Sequence, residues 1–364
     1  VGDLRVEDLD FPLPEERIAR QPTRERSEAR LLVVRGAGAT ASAGSHVEHR
    51  GVADLGNFLE SGDLLVCNDT RVMQARLELR KPSGGQAEGL WLADEGGGRA
   101  RLMLSGGRLR PGILLATITG GSLRLLEKRA RGEWMVERAD DGDETWEAWL
   151  LRHGGTPLPP YVRRLRLLAG EATDSAEDRE RYQTVWARDA GSVAAPTASL
   201  HFDHAALAAL HEQGVSVAWL TLHVGPGTFL PVSAPSLSGH AMHEESFIVP
   251  EETERAIEAC RARGGRVIAA GTTACRALEA WARGERGATR LLIAPGHEWR
   301  VVDALLTNFH TPRSTLLALV AAFAERAGAA DGLAFVKAVY AIAIAREYRF
   351  YSFGDATFWL PSST

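Results

Sequence analysis

Val267–Arg283 reads "VIAAGTTACRALEAWAR", and its two halves follow different structural patterns. Val267–Ala270 is a short apolar run that closes on Gly271, as a buried strand does, and a helix ("TACRALEAWAR") follows directly. The same alternation continues on both sides. Asp203 is placed to cap "HAALAALHEQ", and Gly214 stops that helix before the strand "VSVAWLTLHV". Pro250 and two glutamates open "EETERAIEACRAR", and paired glycines close it ahead of Val267. Beyond come the expected strands "RLLIA" and "VVDALLTNF" and the helix "RSTLLALVAAFAERA". Strands alternating with helices of this length predict a layered α/β domain with a largely parallel sheet.

The front of the chain contributes two more β-type runs, "RLLVV" and "GDLLVCNDTRV", framing the short amphipathic piece "GVADLGNFLES". Between about Leu77 and Leu150 the pattern changes to short apolar runs separated by Gly-rich or charged turns, which reads as a small all-β barrel or sandwich. Three prolines in "GGTPLPPYVRR" then predict an extended linker. The expected division is a discontinuous α/β catalytic domain, 1–76 and 151–364, with an inserted barrel-like β domain at 77–150.

At 364 residues the chain is longer than a single core usually grows, and 45% apolar with 24% charged residues is an ordinary globular balance. No apolar run reaches the length of a membrane span, and the acidic start carries no apolar leader segment. Three cysteines (Cys67, Cys260, Cys275) suggest no disulfide framework, so a cytoplasmic location is expected. A net charge of −5 argues against a general nucleic-acid coat protein but leaves room for a local basic footprint. The densest basic stretch, Arg163, Arg164, Arg166, Arg179, Arg181 and Arg188, reads either as a solvated face or as contacts to a phosphate backbone.

Three strand ends carry polar residues. Gly271 leads into Thr272 and Thr273 at a helix start, where free amides suit an anion. "LLTNFHTPRSTLL" offers Thr307, Asn308 and His310 before a helix capped by Thr311-Pro312 or by Ser314. "TLHVGPGTFLPV" leaves its strand through Gly225 and Gly227, which allow close approach of backbone to a ligand. Each alone reads as a capped turn; together, beyond the carboxyl ends of strands, they suggest a shared pocket. Two other motifs fit less well. "GAGATA" matches G-x-G-x-x-A but precedes no helical pattern, and His240 and His243 stand at metal-like spacing without an evident third ligand.

Several longer phrases occur in order: "DFPLPEERIARQPTRERSEARLL", "GDLLVCNDTRV", "PLPPYVRR", "YQTVWARDAGSVAAPTASLHF", "TLHVGPGTFLPV", "MHEE", "GTTACRALE", "LLTNFHTPRSTLLALVAAF" and "YRFYSFGDA". Together they resemble the S-adenosylmethionine:tRNA ribosyltransferase-isomerase family of queuosine biosynthesis, over nearly the whole chain except about Arg80–Trp149. The resemblance implies an α/β fold with a small inserted β-barrel. It implies an enzyme that moves the ribosyl carbons of S-adenosylmethionine onto 7-aminomethyl-7-deazaguanine at the tRNA wobble position, with epoxyqueuosine, adenine and methionine as products. S-adenosylmethionine would serve as ribosyl donor, no metal is expected, tRNA is the partner, and a monomer is expected. On that reading His201, His223 and His310 are proton-transfer candidates. Asp69 and Arg71 would orient substrate, and Glu244, Glu245 and Asp355 are further acid candidates. Thr272-Thr273 and Ser314-Thr315 would receive a carboxylate or ribose hydroxyls, and Thr197, Gly225, Gly227, Thr307 and Asn308 would complete the binding surface.

Overall fold

The computed structural model describes residues 4–36, 43–140, 144–229, 232 and 234–361. The "GAGATA" match lies outside the described residues apart from Gly36. In chain order the strands are β1 (Arg30–Arg35), β2 (Val47–Gly51), β3 (Leu64–Asn68), β4 (Thr70–Val72), β5 (Arg76–Arg80), β6 (Gln86–Gly96), β7 (Arg99–Ser105), β8 (Leu114–Thr117), β9 (Ser122–Lys128) and β10 (Glu133–Arg138). There follow β11 (Asp189–Ser192), β12 (Ser216–Leu222), β13 (Glu245–Ile248), β14 (Val267–Ala270), β15 (Gly287–Thr289), β16 (Ala304–Asn308) and β17 (Ala356–Leu360). The α-helices are α1 (Trp146–His153), α2 (Pro160–Leu168), α3 (Ala176–Arg181), α4 (His204–Glu212), α5 (Glu251–Ala262), α6 (Thr272–Ala282), α7 (Thr315–Arg326) and α8 (Gly332–Ala345).

Among the described residues the main sheet has nine strands in the order β15-β13-β12-β3-β14-β16-β17-β1-β2. Its central strands β3, β14, β16 and β17 are buried on both faces, which is why β3, β14 and β16 read as apolar runs. Leu64 and Val66 of β3 lie in the core on the side of α5 and α6, while Leu65 and Cys67 lie on the other side in a core with Phe202 and Leu210. The centre, β12-β3-β14-β16, is parallel. The sheet as a whole is mixed, contrary to the expectation of a largely parallel one, because β2, β13, β15 and β17 each pair antiparallel with a neighbour. Between β16 and β17 the chain passes through two packed helices, α7 and α8, rather than one, so it re-enters the sheet from the same end and runs the opposite way.

Two further expectations are corrected. "RLLIA" is not a strand: β15 ends at Thr289, and Ile293 packs into the core from a loop. Its apolarity reflects burial, not pairing. The proline-rich linker is extended only to Pro159, because Pro160 starts α2, a position where a proline lacks no needed amide. The amphipathic piece "GVADLGNFLES" forms a 3-10 helix, Val52–Phe58, that buries Val52, Leu55 and Phe58.

β5 to β10 close into an antiparallel barrel in the order β10-β7-β6-β5-β8-β9. The stretch to Leu150 is not all β, since α1 begins at Trp146, capped by Thr145. Trp146 and Trp149 of α1 join the barrel core beside Leu102, Leu123 and Trp134. The two chain crossings between barrel and sheet lie side by side: the Gly155 amide donates to the Arg76 carbonyl at 2.8 Å and the Arg76 amide donates back at 3.2 Å. No helix among the described residues is long and apolar enough to cross a membrane.

Candidate active site

Because β12, β3, β14 and β16 are adjacent and parallel, their carboxyl ends emerge along one edge of the sheet. Asn68, the last residue of β3 and fully buried, ties three of the elements there. Its Nδ2 donates to the Leu222 carbonyl at 2.9 Å and to Thr273 Oγ1 at 3.2 Å, and its Oδ1 accepts from the amides of Leu222 (3.0 Å) and Thr70 (3.1 Å). At the end of β14, Gly271 adopts φ +102°, a conformation open to glycine, and turns the chain straight into α6. No side chain caps α6, whereas Asp203, Ser314 and Asp331 cap α4, α7 and α8. The first amides of α6, like those of α2 and α5, thus lack a side-chain cap among the described residues.

These ends open on a cavity of about 530 Å³. That is within the range of sites that enclose a small organic ligand. Thr272, Thr273 and Arg276 of α6 line it, with Thr307, Asn308 and His310 from the β16–α7 junction. Glu245 closes another side: its Oε1 accepts from the Gly225 amide at 2.9 Å, and its carboxylate pairs with Arg276. Burial draws the Arg276 guanidinium down to about 10, which leaves it charged at neutral pH. Among the described residues its Nε has no partner, and neither does the buried Oδ1 of Asn308. Unmet polar groups of this kind are unusual in a folded interior and mark capacity to hold a polar ligand.

The histidines differ in place and in charge. His310 lines the cavity; its Nε2 meets Thr307 Oγ1 at 3.0 Å and its amide donates to the Tyr340 hydroxyl at 3.1 Å. Burial pushes it down to about 3. His201 stands behind Asn308, with Nε2 3.2 Å from Asn308 Nδ2. Since the amide nitrogen can only donate, that His201 nitrogen accepts. Burial first, then Arg349 and Arg26, lower His201 to about 4, so both rings are neutral at pH 7. His223 meets Thr70 Oγ1 at 2.8 Å and is lowered by burial, with Asp189 and Asp69 opposing the shift.

Of the residues expected from sequence, Thr197, Gly227, Thr272, Thr273, Thr307, Asn308, His310 and Ser314 line the cavity, as do Glu245 and Thr315. Ser314, not Thr311-Pro312, is the cap of α7, accepting from the Leu317 amide at 3.2 Å. Gly225 adjoins the cavity through Glu245. Others stand apart. Asp69 is buried and held by Arg188 (2.6 Å) and Thr221 (2.7 Å). Arg71 reaches Glu147 of α1 at 2.5 Å. Glu244 is 58% exposed and pairs with Arg290, so the cavity takes its neighbour Glu245. Asp355 accepts the amides of Arg30 and Arg349.

Four of the six arginines in the run are ion-paired among the described residues. Arg166 makes a buried bidentate pair with Asp178, and Arg163, Arg164 and Arg188 pair with Glu88, Glu15 and Asp69. Arg164 and Arg188 stay more than half exposed despite their partners. His240 and His243 line the cavity but belong to no cluster of three potential metal ligands among the described residues. Sequence reasoning missed Arg276, Tyr161 and Tyr351 as cavity residues. The available signal for Arg276 was its position four residues after Thr272, one turn deeper on the same helix face.

The profile of the queuosine biosynthesis protein family matches residues 6–359. The chain belongs to that family. It is 48% identical over 362 residues to the S-adenosylmethionine:tRNA ribosyltransferase-isomerase of Anaeromyxobacter sp. (strain Fw109-5), covering 97% of this chain and 98% of the relative. It is 44% identical over 355 residues to the protein of the same name from Rubrobacter xylanophilus, covering 97% of each. Among solved structures it is similar to an S-adenosylmethionine tRNA ribosyltransferase from Thermotoga maritima, with TM-score 0.53 and 31% identity over 97% of this chain and all of that one. As a member of this family the chain is a transferase-isomerase.

Proposed function

We propose that this protein transfers and isomerises the ribosyl moiety of S-adenosylmethionine onto 7-aminomethyl-7-deazaguanine at the tRNA wobble position, yielding epoxyqueuosine, adenine and methionine. The observation that supports this most is the cavity at four parallel strand ends, with an uncapped helix start and a buried arginine on one side and a hydroxyl- and amide-rich loop on the other. The amides of α6, with Thr272, Thr273 and Arg276, suit the methionine carboxylate. Thr307, Asn308 and Ser314 suit ribose hydroxyls. The sulfonium of the substrate acidifies its C5′ protons, so the chain must supply a proton acceptor and, for departing adenine, a proton donor. Glu245 and His310 are the titratable groups in the cavity that we assign to that work. Asp69, His201 and His223 act as positioning residues, through Thr221, Asn308 and Thr70 respectively.

We further infer that residues 77–150 are an inserted domain. Closure of the barrel strands and the packing of α1 into their core support this division. A monomeric, cytoplasmic enzyme is part of the same reading.

The test is product analysis by mass spectrometry after incubation with S-adenosylmethionine and tRNA carrying 7-aminomethyl-7-deazaguanine. Adenine, methionine and a nucleoside of epoxyqueuosine mass are expected; S-adenosylhomocysteine in their place would overturn the proposal.

A further inference from the structure

One wall of the cavity is aromatic. Tyr161, in the first turn of α2, and Tyr351, in the loop before β17, line it together with Ser352. Their rings meet edge to face, with centroids 4.6 Å apart and planes at 67°. In such a pair the ring that offers its edge keeps its faces for other contacts.

Both residues are held firmly. The Tyr161 hydroxyl donates to Ser352 Oγ at 2.7 Å and accepts from the Ser352 amide at 2.9 Å. The Tyr351 amide donates to the Phe309 carbonyl at 3.1 Å, and its carbonyl accepts from Asn308 Nδ2 at 3.3 Å. Asn308 is itself steadied by His201. Yet Tyr351 sits at φ +72°, in the left-handed region that a bulky side chain rarely enters. Glycine would occupy that position without strain, so packing of the backbone alone gives no reason for tyrosine. A strained residue persists where its surroundings over-determine it, and here they fix an aromatic ring at a cavity wall.

We propose that Tyr351, braced by Tyr161, is the platform on which a purine-type base stacks in this cavity. The identity of the base rests on the function proposed above: the adenine of S-adenosylmethionine and the 7-deazaguanine of the wobble nucleotide share the same flat bicyclic shape. Ser352, next in the chain to Tyr351 and on the same cavity wall, offers its hydroxyl to the base edge, while Thr307 and Asn308 at the end of β16 are left for the ribose. No bond is made or broken at the tyrosine; it holds the base in register with the sugar.

The test uses the full chain with Tyr351→Phe and Tyr351→Gly. Dissociation constants are measured by calorimetry for S-adenosylmethionine and for adenosine, and by fluorescence for an anticodon stem-loop carrying 7-aminomethyl-7-deazaguanine. Tyr351→Phe, which keeps the ring, should bind within about 3-fold of the parent, the change expected of a hydroxyl with no base contact. Tyr351→Gly, which removes the ring and relieves the backbone, should keep its unfolding midpoint and bind roughly 5- to 150-fold more weakly, the range of one lost base–aromatic stack. Weakening confined to S-adenosylmethionine and adenosine assigns the platform to adenine. Weakening confined to the stem-loop assigns it to the wobble base, and either supports the proposal. Unchanged binding by a folded Tyr351→Gly, a Tyr351→Phe as weak as Tyr351→Gly, or a parent protein that binds none of the ligands overturns it. A parent that stacks adenosine but releases no adenine from S-adenosylmethionine would sink the proposed function and leave the platform standing.

Discussion

Glu279 offers a quantitative check on how α6, and with it the cavity wall, is anchored. Its carboxylate is fully buried and accepts from the amides of Arg300, Val301 and Val302 at 3.0 Å, and from Arg283 at 3.0 Å. Burial alone would raise its pKa. The hydrogen bonds from His297, Val301, Val302 and Arg300 outweigh burial and bring it from 4.5 down to about 2. A folded-state pKa below the unfolded value means stability that is present above pH 4.5 and lost as the pH falls towards 2. The difference of about 2.5 units corresponds to about 3 kcal/mol at neutral pH and about 2 kcal/mol at pH 3.5. Glu279→Gln keeps the shape but removes the charge. Denaturant unfolding of parent and variant at pH 7 and pH 3.5 should show a gap of about 3 kcal/mol that narrows to about 2 kcal/mol. A gap below about 1 kcal/mol at pH 7, or one that does not narrow in acid, would refute the view that an ionised Glu279 anchors the helix.

Asn68→Ala leaves four polar groups on β12, β4 and α6 without their partner; we expect a loss of about 2–4 kcal/mol in urea unfolding together with a fall in turnover, since Thr273 loses its anchor. Asp178→Ala strands the buried Arg166 and should cost about 3–5 kcal/mol by thermal or urea unfolding, whereas a loss under 1 kcal/mol would show that water already reaches the pair. His201→Ala removes the acceptor that holds Asn308 and should lower kcat/KM roughly 5- to 30-fold, about 1–2 kcal/mol. Because His201 is lowered to about 4, the pH–rate profile of this variant between pH 6 and 8 should keep the parent's shape.

Much of the site was legible because a turn chemistry announces itself locally. Gly271 followed by two threonines implies a tight strand-to-helix turn whatever lies around it, and α6 starts there. Ser314, Asp203 and the glycines after α4 and α5 are readable for the same reason. Charged side chains were the least legible. Asp69, Arg71 and Glu244 are as polar as any residue in the cavity, yet Arg188, Glu147 and Arg290 engage them elsewhere.

Periodicity, caps and breakers, which act over a few residues, were enough to determine β1, β3, β12, β14 and β16, the helices α4 to α7 and the β character of the stretch after Leu77, but not α2, α8, β13 or β17. The long phrases were enough to indicate the family. Only the tertiary structure decided that the sheet is mixed, that "RLLIA" packs as a loop, and which polar residues share one space. Those outcomes depend on pairing and burial between segments as far apart as Asn68 and Thr273, or Tyr161 and Tyr351. A local pattern can show that a residue is polar or apolar; which partner desolvates it is settled by where the rest of the chain lies.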